Sequence, residues 1–255
     1  MKISKATVLY FSGTGTTEKY ARAFAAGLPC ACSVEAIRHD GTYGGRCGSD
    51  ELFVLAVPVY AGFAPQFVWQ MVADLEGAGT PAVLLAVYGA RDYDNALHEM
   101  SAKLSAKGFA VVGAAALVAR HSIAPTVAAT RPDADDLAQA GDFARTVVER
   151  VEAMSSVADA PTFEFKTVEA NLGAPVFPAA SEACVECGVC AAECPAGAIP
   201  ADAPNTTDTD VCVHCLRCID VCPNDARSLP TQLVAGVAQM LAAAGARGDK
   251  PNEFF

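Results

Sequence analysis

Ala6-Thr7-Val8-Leu9-Tyr10-Phe11-Ser12-Gly13-Thr14-Gly15-Thr16-Thr17-Glu18 is the stretch on which the reading of the fold turns. Apolar residues of strand character stop at a loop of small and hydroxyl-bearing residues, and apolar positions then return at helical spacing over 17–26. The same alternation continues outward. Runs at 33–37, 52–57, 82–88 and 110–118 are rich in Val, Leu and Ala and lack strict alternation, as strands buried on both faces do. Helical patterns follow at 65–75, 92–107 and 131–154. Such alternation specifies a parallel sheet covered on both sides, so residues 1–155 are expected to form one five-stranded, doubly wound α/β domain.

In the loop, hydroxyls and backbone N–H groups gather at a helix N-terminus and form an anion site, while glycines let the chain curl round a phosphate. A dinucleotide fingerprint needs a third glycine where Glu18 stands, and a nucleotide-hydrolysing loop needs a Lys after its glycines; neither is present. What is left is a neutral cradle of Ser12, Gly13, Thr14, Gly15, Thr16 and Thr17, suited to a terminal phosphate monoester. A plain N-cap is the alternative reading of this loop taken alone. The S/T-x-T-G-x-T pattern after the first strand resembles flavodoxin. That resemblance implies strand order 2-1-3-4-5 and FMN at the switch point beside strands one and three. It extends to two further loops at the ends of strands: Pro58, Val59, Tyr60, Ala61, Gly62 and Phe63, then Tyr88, Gly89, Ala90, Arg91, Asp92, Tyr93 and Asp94. In that family these loops bracket the isoalloxazine ring, so Tyr60 and either Tyr88 or Tyr93 are expected to stack on it. The chain departs from the commonest flavodoxins in having Thr16 where Asn is frequent and no Trp in the stacking loop. Trp69, inside a helical pattern, reads as core, and His121, in the loop after the fifth strand, as solvated.

Beyond residue 155 the composition changes. Residues 156–175 carry prolines around a short alternating stretch, Phe163, Phe165 and Val168, and read as a linker. Then Cys184-x-x-Cys187-x-x-Cys190-x-x-x-Cys194-Pro195 recurs as Cys212-x-x-Cys215-x-x-Cys218-x-x-x-Cys222-Pro223, at a constant offset of 28 residues. A four-iron cubane needs one thiolate per iron; three cysteines at intervals of three wrap three corners, and in two-cluster proteins the fourth ligates the other cluster. The expected ligand sets are therefore Cys184, Cys187, Cys190 and Cys222 for one cluster, and Cys212, Cys215, Cys218 and Cys194 for the second. Zinc is the competing reading, but tetrahedral zinc takes separated Cys pairs rather than interleaved quartets. Residues 176–230 resemble bacterial-type ferredoxins with two 4Fe-4S clusters, which implies a small α+β domain and one-electron transfer at low potential. Residues 231–255 read as an Ala-rich helix and a polar tail, and Cys30, Cys32 and Cys47 as inert thiols.

The chain has 255 residues and a formal charge of −11, from 18 basic against 29 acidic residues, which repels nucleic acid. No apolar stretch reaches the roughly 20 residues that span a bilayer, and the N-terminus lacks a signal-peptide pattern, so a cytoplasmic location is expected. Over nearly its whole length the chain resembles fused flavodoxin-ferredoxin proteins. The resemblance implies an electron carrier joining two 4Fe-4S clusters and FMN, with redox partner proteins that present basic docking faces to an acidic molecule. The alternative is a flavin-dependent reductase of a small-molecule electron acceptor, supplied internally by the clusters, with Asp92, Tyr93 and His121 as proton-donor candidates.

Overall fold

The computed structural model describes residues 1–169 and 175–255. Its first elements are β1 (Lys5–Tyr10), α1 (Thr16–Gly27), β2 (Ala31–Ala36), β3 (Gly45–Cys47), β4 (Glu51–Pro58), α2 (Gln66–Met71), β5 (Leu75–Gly77), β6 (Thr80–Tyr88), α3 (Ala96–Ala106), β7 (Phe109–Val118) and α4 (Ala134–Ala153). After them come β8 (Ala179–Ala180), α5 (Val189–Glu193), α6 (Arg217–Asp220), β9 (Arg227–Ser228), α7 (Thr231–Ala243) and β10 (Glu253–Phe254).

The main sheet has the order β10-β7-β6-β4-β1-β2. Its five long strands pair in parallel, Lys5 with both Ala31 and Glu51, Phe53 with Ala82 and Thr80 with Phe109. This is the doubly wound 2-1-3-4-5 order of the flavodoxin topology, whose switch point lies between the first and third strands of that count, here β1 and β4. The sixth strand is an addition: β10 joins antiparallel, with Glu253 opposite Ala116. Two residues are too few for any periodicity to announce them. The helix expected over 65–75 stops at Met71, because Leu75 enters β5 and pairs with Gly45 of β3. The helix expected over 131–154 starts after Asp133, whose carboxylate accepts from the Asp136 N–H in a reciprocal capping box.

Each face of the sheet has its own core. On one, α1 and α4 bring Tyr20, Phe24, Phe143 and Val147 against Val8, Leu52 and Leu85. On the other, α2 and α3 bring Phe67, Val68, Leu97 and Met100 against Leu9, Leu55 and Leu84, and the same apolar cluster continues into Cys190, Cys194, Cys215 and Cys218. Trp69 is buried, as expected, with Lys103 over its ring at 4.7 Å. Residues 161–168 lie along the first domain rather than free of it. The Asn95 amide bonds both main-chain groups of Val168, at 2.8 and 3.1 Å, and Phe165 meets Phe255 edge to face at 5.6 Å. The remainder of the expected linker, residues 170–174, lies outside the described residues.

In the cysteine-rich region the sequence repeat becomes a repeat of backbone shape. Left-handed residues occur as pairs at the offset of the motif: Glu186 and His214, Gly188 and Leu216, Gly197 and Asp225. The two short helices α5 and α6 begin after the second of these turns, and β8 and β9 tie the region's ends, Ala179 against Ser228.

Candidate functional site

Three loops at the C-terminal ends of β1, β4 and β6 surround one cleft at the switch point. It is lined by Gly13, Thr14, Thr16 and Thr17 from the first loop, Pro58, Val59 and Tyr60 from the second, and Tyr88 and Gly89 from the third. The remaining residues of the expected set support these loops from behind. Ser12 Oγ accepts from the Glu18 N–H at 3.2 Å, so this hydroxyl is spent on the start of α1, and Gly15 takes a φ of +78° to turn into that helix. Ala61 and Gly62, with φ of +49° and +89°, form a tight return in which Tyr60 and Phe63 exchange main-chain hydrogen bonds of 2.9 and 3.1 Å. Ala90 and Arg91 turn the third loop, and the Arg91 guanidinium pairs with Asp94. Of the two stacking candidates in the third loop, Tyr88 reaches the cleft and Tyr93 does not. Tyr93 is buried against Tyr88, donates to the Glu253 carboxylate at 3.0 Å and lies beneath Lys166.

The loop after β7 closes the cleft with Arg120, His121 and Ser122. This loop carries no anion-binding pattern, and its one sequence signal is position, the C-terminal end of the fifth strand. Arg120 lines the cleft, with its guanidinium paired to Asp220 at 3.4 Å. His121 is half-buried rather than solvated: Gly89, with no side chain, lets the imidazole approach, and Nδ1 accepts from the N–H groups of Ile123 and Ala124, each at 3.2 Å. Those two donors fix the neutral tautomer, with the proton on Nε2. Burial first, and the Arg91 charge second, hold the imidazole down to about 4. The unfolded chain therefore binds a proton near 6.5 that the folded chain refuses until about 4, so this contribution to stability is whole above pH 6.5 and is lost as the pH falls through that window. His121→Gln is expected to flatten the decline between pH 7 and pH 4.5 by on the order of 1–2 kcal/mol in paired urea melts; parallel declines in the two proteins would refute it.

Both cysteine quartets come together as the spacing requires. Cys184, Cys187, Cys190 and Cys222 line a single small pocket. Cys194, Cys212, Cys215 and Cys218 are mutual neighbours. Burial pushes the Cys215 thiol up to about 12, and the adjoining Cys194, Cys218 and Cys212 add to the rise; burial likewise pushes Cys218 up to about 11. Buried thiols in such a place resist ionisation unless a metal takes the proton's position, since a coordinating thiol is deprotonated outright. Two sets of four thiols, each brought together at this spacing, are the donor sets that a metal-sulfur group takes. Among the described residues, no three His, Cys, Asp or Glu side chains are gathered so as to hold one metal ion. Backbone donors repeat with the motif. The Ala198 N–H points to Cys194 Sγ at 3.3 Å and the Ala226 N–H to Cys222 Sγ at 3.2 Å, equivalent positions 28 residues apart. Donors of this kind stabilise sulfur-borne negative charge and tune a cluster's potential. His214 and Arg217 are engaged elsewhere, the imidazole Nδ1 with the Val176 carbonyl at 2.9 Å and the guanidinium with Glu193 at 2.6 Å.

Comparison with known families agrees with this geometry. Two models of 4Fe-4S binding domains match the chain, one over residues 181–197 and one over 206–228. The chain joins a domain of flavodoxin topology to a ferredoxin-type 4Fe-4S region. Among solved structures, a flavodoxin from the domain Archaea is similar at 17% identity, covering 58% of this chain and 99% of its own, with a TM-score of 0.44. A protein described as a flavoprotein, from Bacteroides eggerthii, is similar at 14% identity over 59% of this chain and 99% of its own, with a TM-score of 0.39. The fold assignment of the flavodoxin-like domain rests on its strand order, described above. No curated protein sequence matches the chain. Among the described residues, no helix of the flavodoxin-like domain or the ferredoxin-type region is long and apolar enough to cross a membrane.

Proposed function

We propose that the chain is an electron-transfer protein that holds FMN in the switch-point cleft and two 4Fe-4S clusters on the interleaved cysteine quartets. It passes low-potential electrons between these centres and on to a redox partner protein. The observation that carries this reading is the convergence of a phosphate-loop cleft and a cysteine quartet on one junction, where Cys215 lies against Gly13. When bound, the flavin would supply one- and two-electron chemistry and each cluster one-electron chemistry.

The protein's own residues do the rest. Thr14, Thr16 and Thr17 offer hydroxyls, and the start of α1 its free N–H groups, to a phosphate. Arg120 lines the cleft from the facing loop. Tyr60 and Tyr88 present rings to a planar group in the cleft, and burial raises both phenols well above their ordinary range, so they stay neutral and apolar. The backbone of the two cysteine loops screens the sulfurs from water on the side of the first domain. The charge of −11, deepened by about −2 for each oxidised all-Cys cluster, suits partners with basic faces and makes the encounter salt-sensitive.

Anaerobic reconstitution tests the reading directly. About eight irons, as many sulfides and one FMN should remain on each chain after gel filtration. Thr14→Val and Thr16→Val should each weaken FMN roughly ten- to a hundredfold, the worth of one hydrogen bond to a charged group. Retention of iron without any retention of FMN would sink the flavin half of the proposal.

A further inference from the structure

The two quartets are alike in sequence and unlike in surroundings. Cys190, Cys194, Cys215 and Cys218 are 8%, 7%, 8% and 9% exposed and join the core of the first domain, so three of the four come from the second quartet and one from the first. Cys187 is exposed, and its neighbour Val185 keeps 67% of its surface in solvent. The closest contact between the halves is made by Cys215, of the second quartet. A β-carbon placed on Gly13 would lie 2.1 Å from the Cys215 carbonyl oxygen and 3.0 Å from its Cβ, so the phosphate loop and the cluster loop touch main chain to main chain. Tyr60, which lines the cleft, stands on the other side of the same junction, sharing a second cavity with Cys212 and Val213.

Polar ties flank this contact and come from the same stretch. Arg38 donates to the Ala192 carbonyl at 2.9 Å, the His39 N–H donates to the Pro195 carbonyl at 2.7 Å, and Arg120 pairs with Asp220 at 3.4 Å. Among the described residues, no hydrogen bond or ion pair joins 182–190 or 221–225 to the first domain.

We infer that the quartet Cys194, Cys212, Cys215 and Cys218 holds an inner cluster, which exchanges electrons with the flavin across the Gly13–Cys215 contact, and that Cys184, Cys187, Cys190 and Cys222 hold an outer cluster, which meets the external partner. The inference rests on the function proposed above and adds the order of the centres. In the reducing direction, one electron leaves a reduced one-electron carrier protein for the outer cluster and moves to the inner one. Two such transits, with two protons from water, complete the reduction of the flavin, and the oxidising direction reverses the route. Tunnelling falls steeply with distance, so a contact without an intervening side chain favours the inner set.

The test uses full-length, cluster-loaded protein and the variants Cys187→Ala and Cys212→Ala, each of which spoils one quartet. Adding FMN brings a phosphate dianion to the inner cluster and should lower the potential of the cluster that survives in Cys187→Ala, leaving the survivor in Cys212→Ala unmoved. A shift confined to the Cys212→Ala survivor, or equal in both, overturns the order. A second readout needs no flavin: amide exchange in peptides covering 12–17 and 59–63 should quicken in Cys212→Ala and stay at the wild-type rate in Cys187→Ala. Equal exchange in the two variants overturns the order as well. Should Cys212→Ala fail to fold, wild-type protein titrated with and without FMN decides it. One cluster signal must shift, and it must be the one that a ferrous chelator removes last. A protein that keeps both clusters but never retains FMN refutes the proposed flavin function, and the exchange readout then decides the seating of the clusters independently.

Discussion

Gly13→Val is expected to cost the protein its FMN and to loosen the two halves of the chain in one step. The substitution puts a branched side chain where a single β-carbon would already stand 2.1 Å from the Cys215 carbonyl oxygen and 2.9 Å from its carbonyl carbon. Both obstacles are backbone, held in place by the hydrogen bonds of a cluster loop, and neither swings aside as the end of a flexible side chain does. The loops must therefore separate, at a cost of about 1–3 kcal/mol for overpacking of this kind. Separation also tilts the N–H groups that the first loop offers to phosphate. FMN retention on gel filtration and the midpoint of urea unfolding should both fall. Gly15 provides the comparison. It has a φ of +78° but nothing within 4 Å of a β-carbon, so Gly15→Ala carries only the backbone strain of a left-handed residue, about 1 kcal/mol, and no separation of halves. If Gly13→Val matched the wild type in both measurements, the described contact between the loops would be wrong.

The second large effect lies far from the cleft. Arg131 and Asp136 form an ion pair whose side chains are 11% and 3% exposed. Arg131 also donates to the Gly248 and Lys250 carbonyls, and Asp136 accepts from the Asn252 amide at 2.8 Å. Asn252 in turn accepts from the Val118 N–H at 2.8 Å, next to the strand that β10 joins. Asp136→Ala would leave a buried guanidinium without its counter-charge, remove the Asp136 half of the α4 capping box and cut one tie to the tail. Breaking one partner of a buried pair costs roughly 3–5 kcal/mol, while the Asp133 carboxylate keeps its bond to the residue-136 N–H at the start of α4. Chemical unfolding should show a loss in that range, and limited proteolysis should cut near residue 250 earlier than in the wild type. A loss below about 1 kcal/mol would mean that solvent reaches Arg131 and that the tail is held by its strand alone.

Much of this architecture was legible in the residues. Strands such as β4 and β6 without alternation were enough to call a parallel sheet covered on both faces, because such burial leaves a continuous apolar run, and the strand order came from the resemblance of the glycine and threonine loop after β1 to flavodoxin. The cysteine spacing led to both quartets, since ligand geometry at a cubane admits few intervals. What escaped depends on contacts between distant segments. Tyr93 looked like a second stacking ring, but the tail supplies Glu253 to cover it. His121 looked solvated, and its burial depends on Gly89 giving way across the cleft. Arg120 carries no motif at all. The order of the two clusters was hidden for the same reason: a pseudo-symmetric repeat gives each half the same local pattern, and only packing against Gly13 distinguishes them.

The sixth strand changes what the word domain means here. Glu253 and Phe254 complete the first sheet after the chain has passed through the whole ferredoxin-type region, and the Phe255 N–H and carbonyl close on Ala114. In topological terms the ferredoxin-type region is an insertion into the flavodoxin-like one, bounded on both sides by segments of the same body. A fragment ending before residue 230 would strip β7 of its strand partners at Ala115 and Ala116 and of the Phe255 bonds to Ala114, lengthening an open edge on which strands of two copies can pair. Expressing the two halves separately would therefore yield one piece prone to self-association and one deprived of its footing, and a swap of the terminal strand between two copies offers a ready route to a dimer.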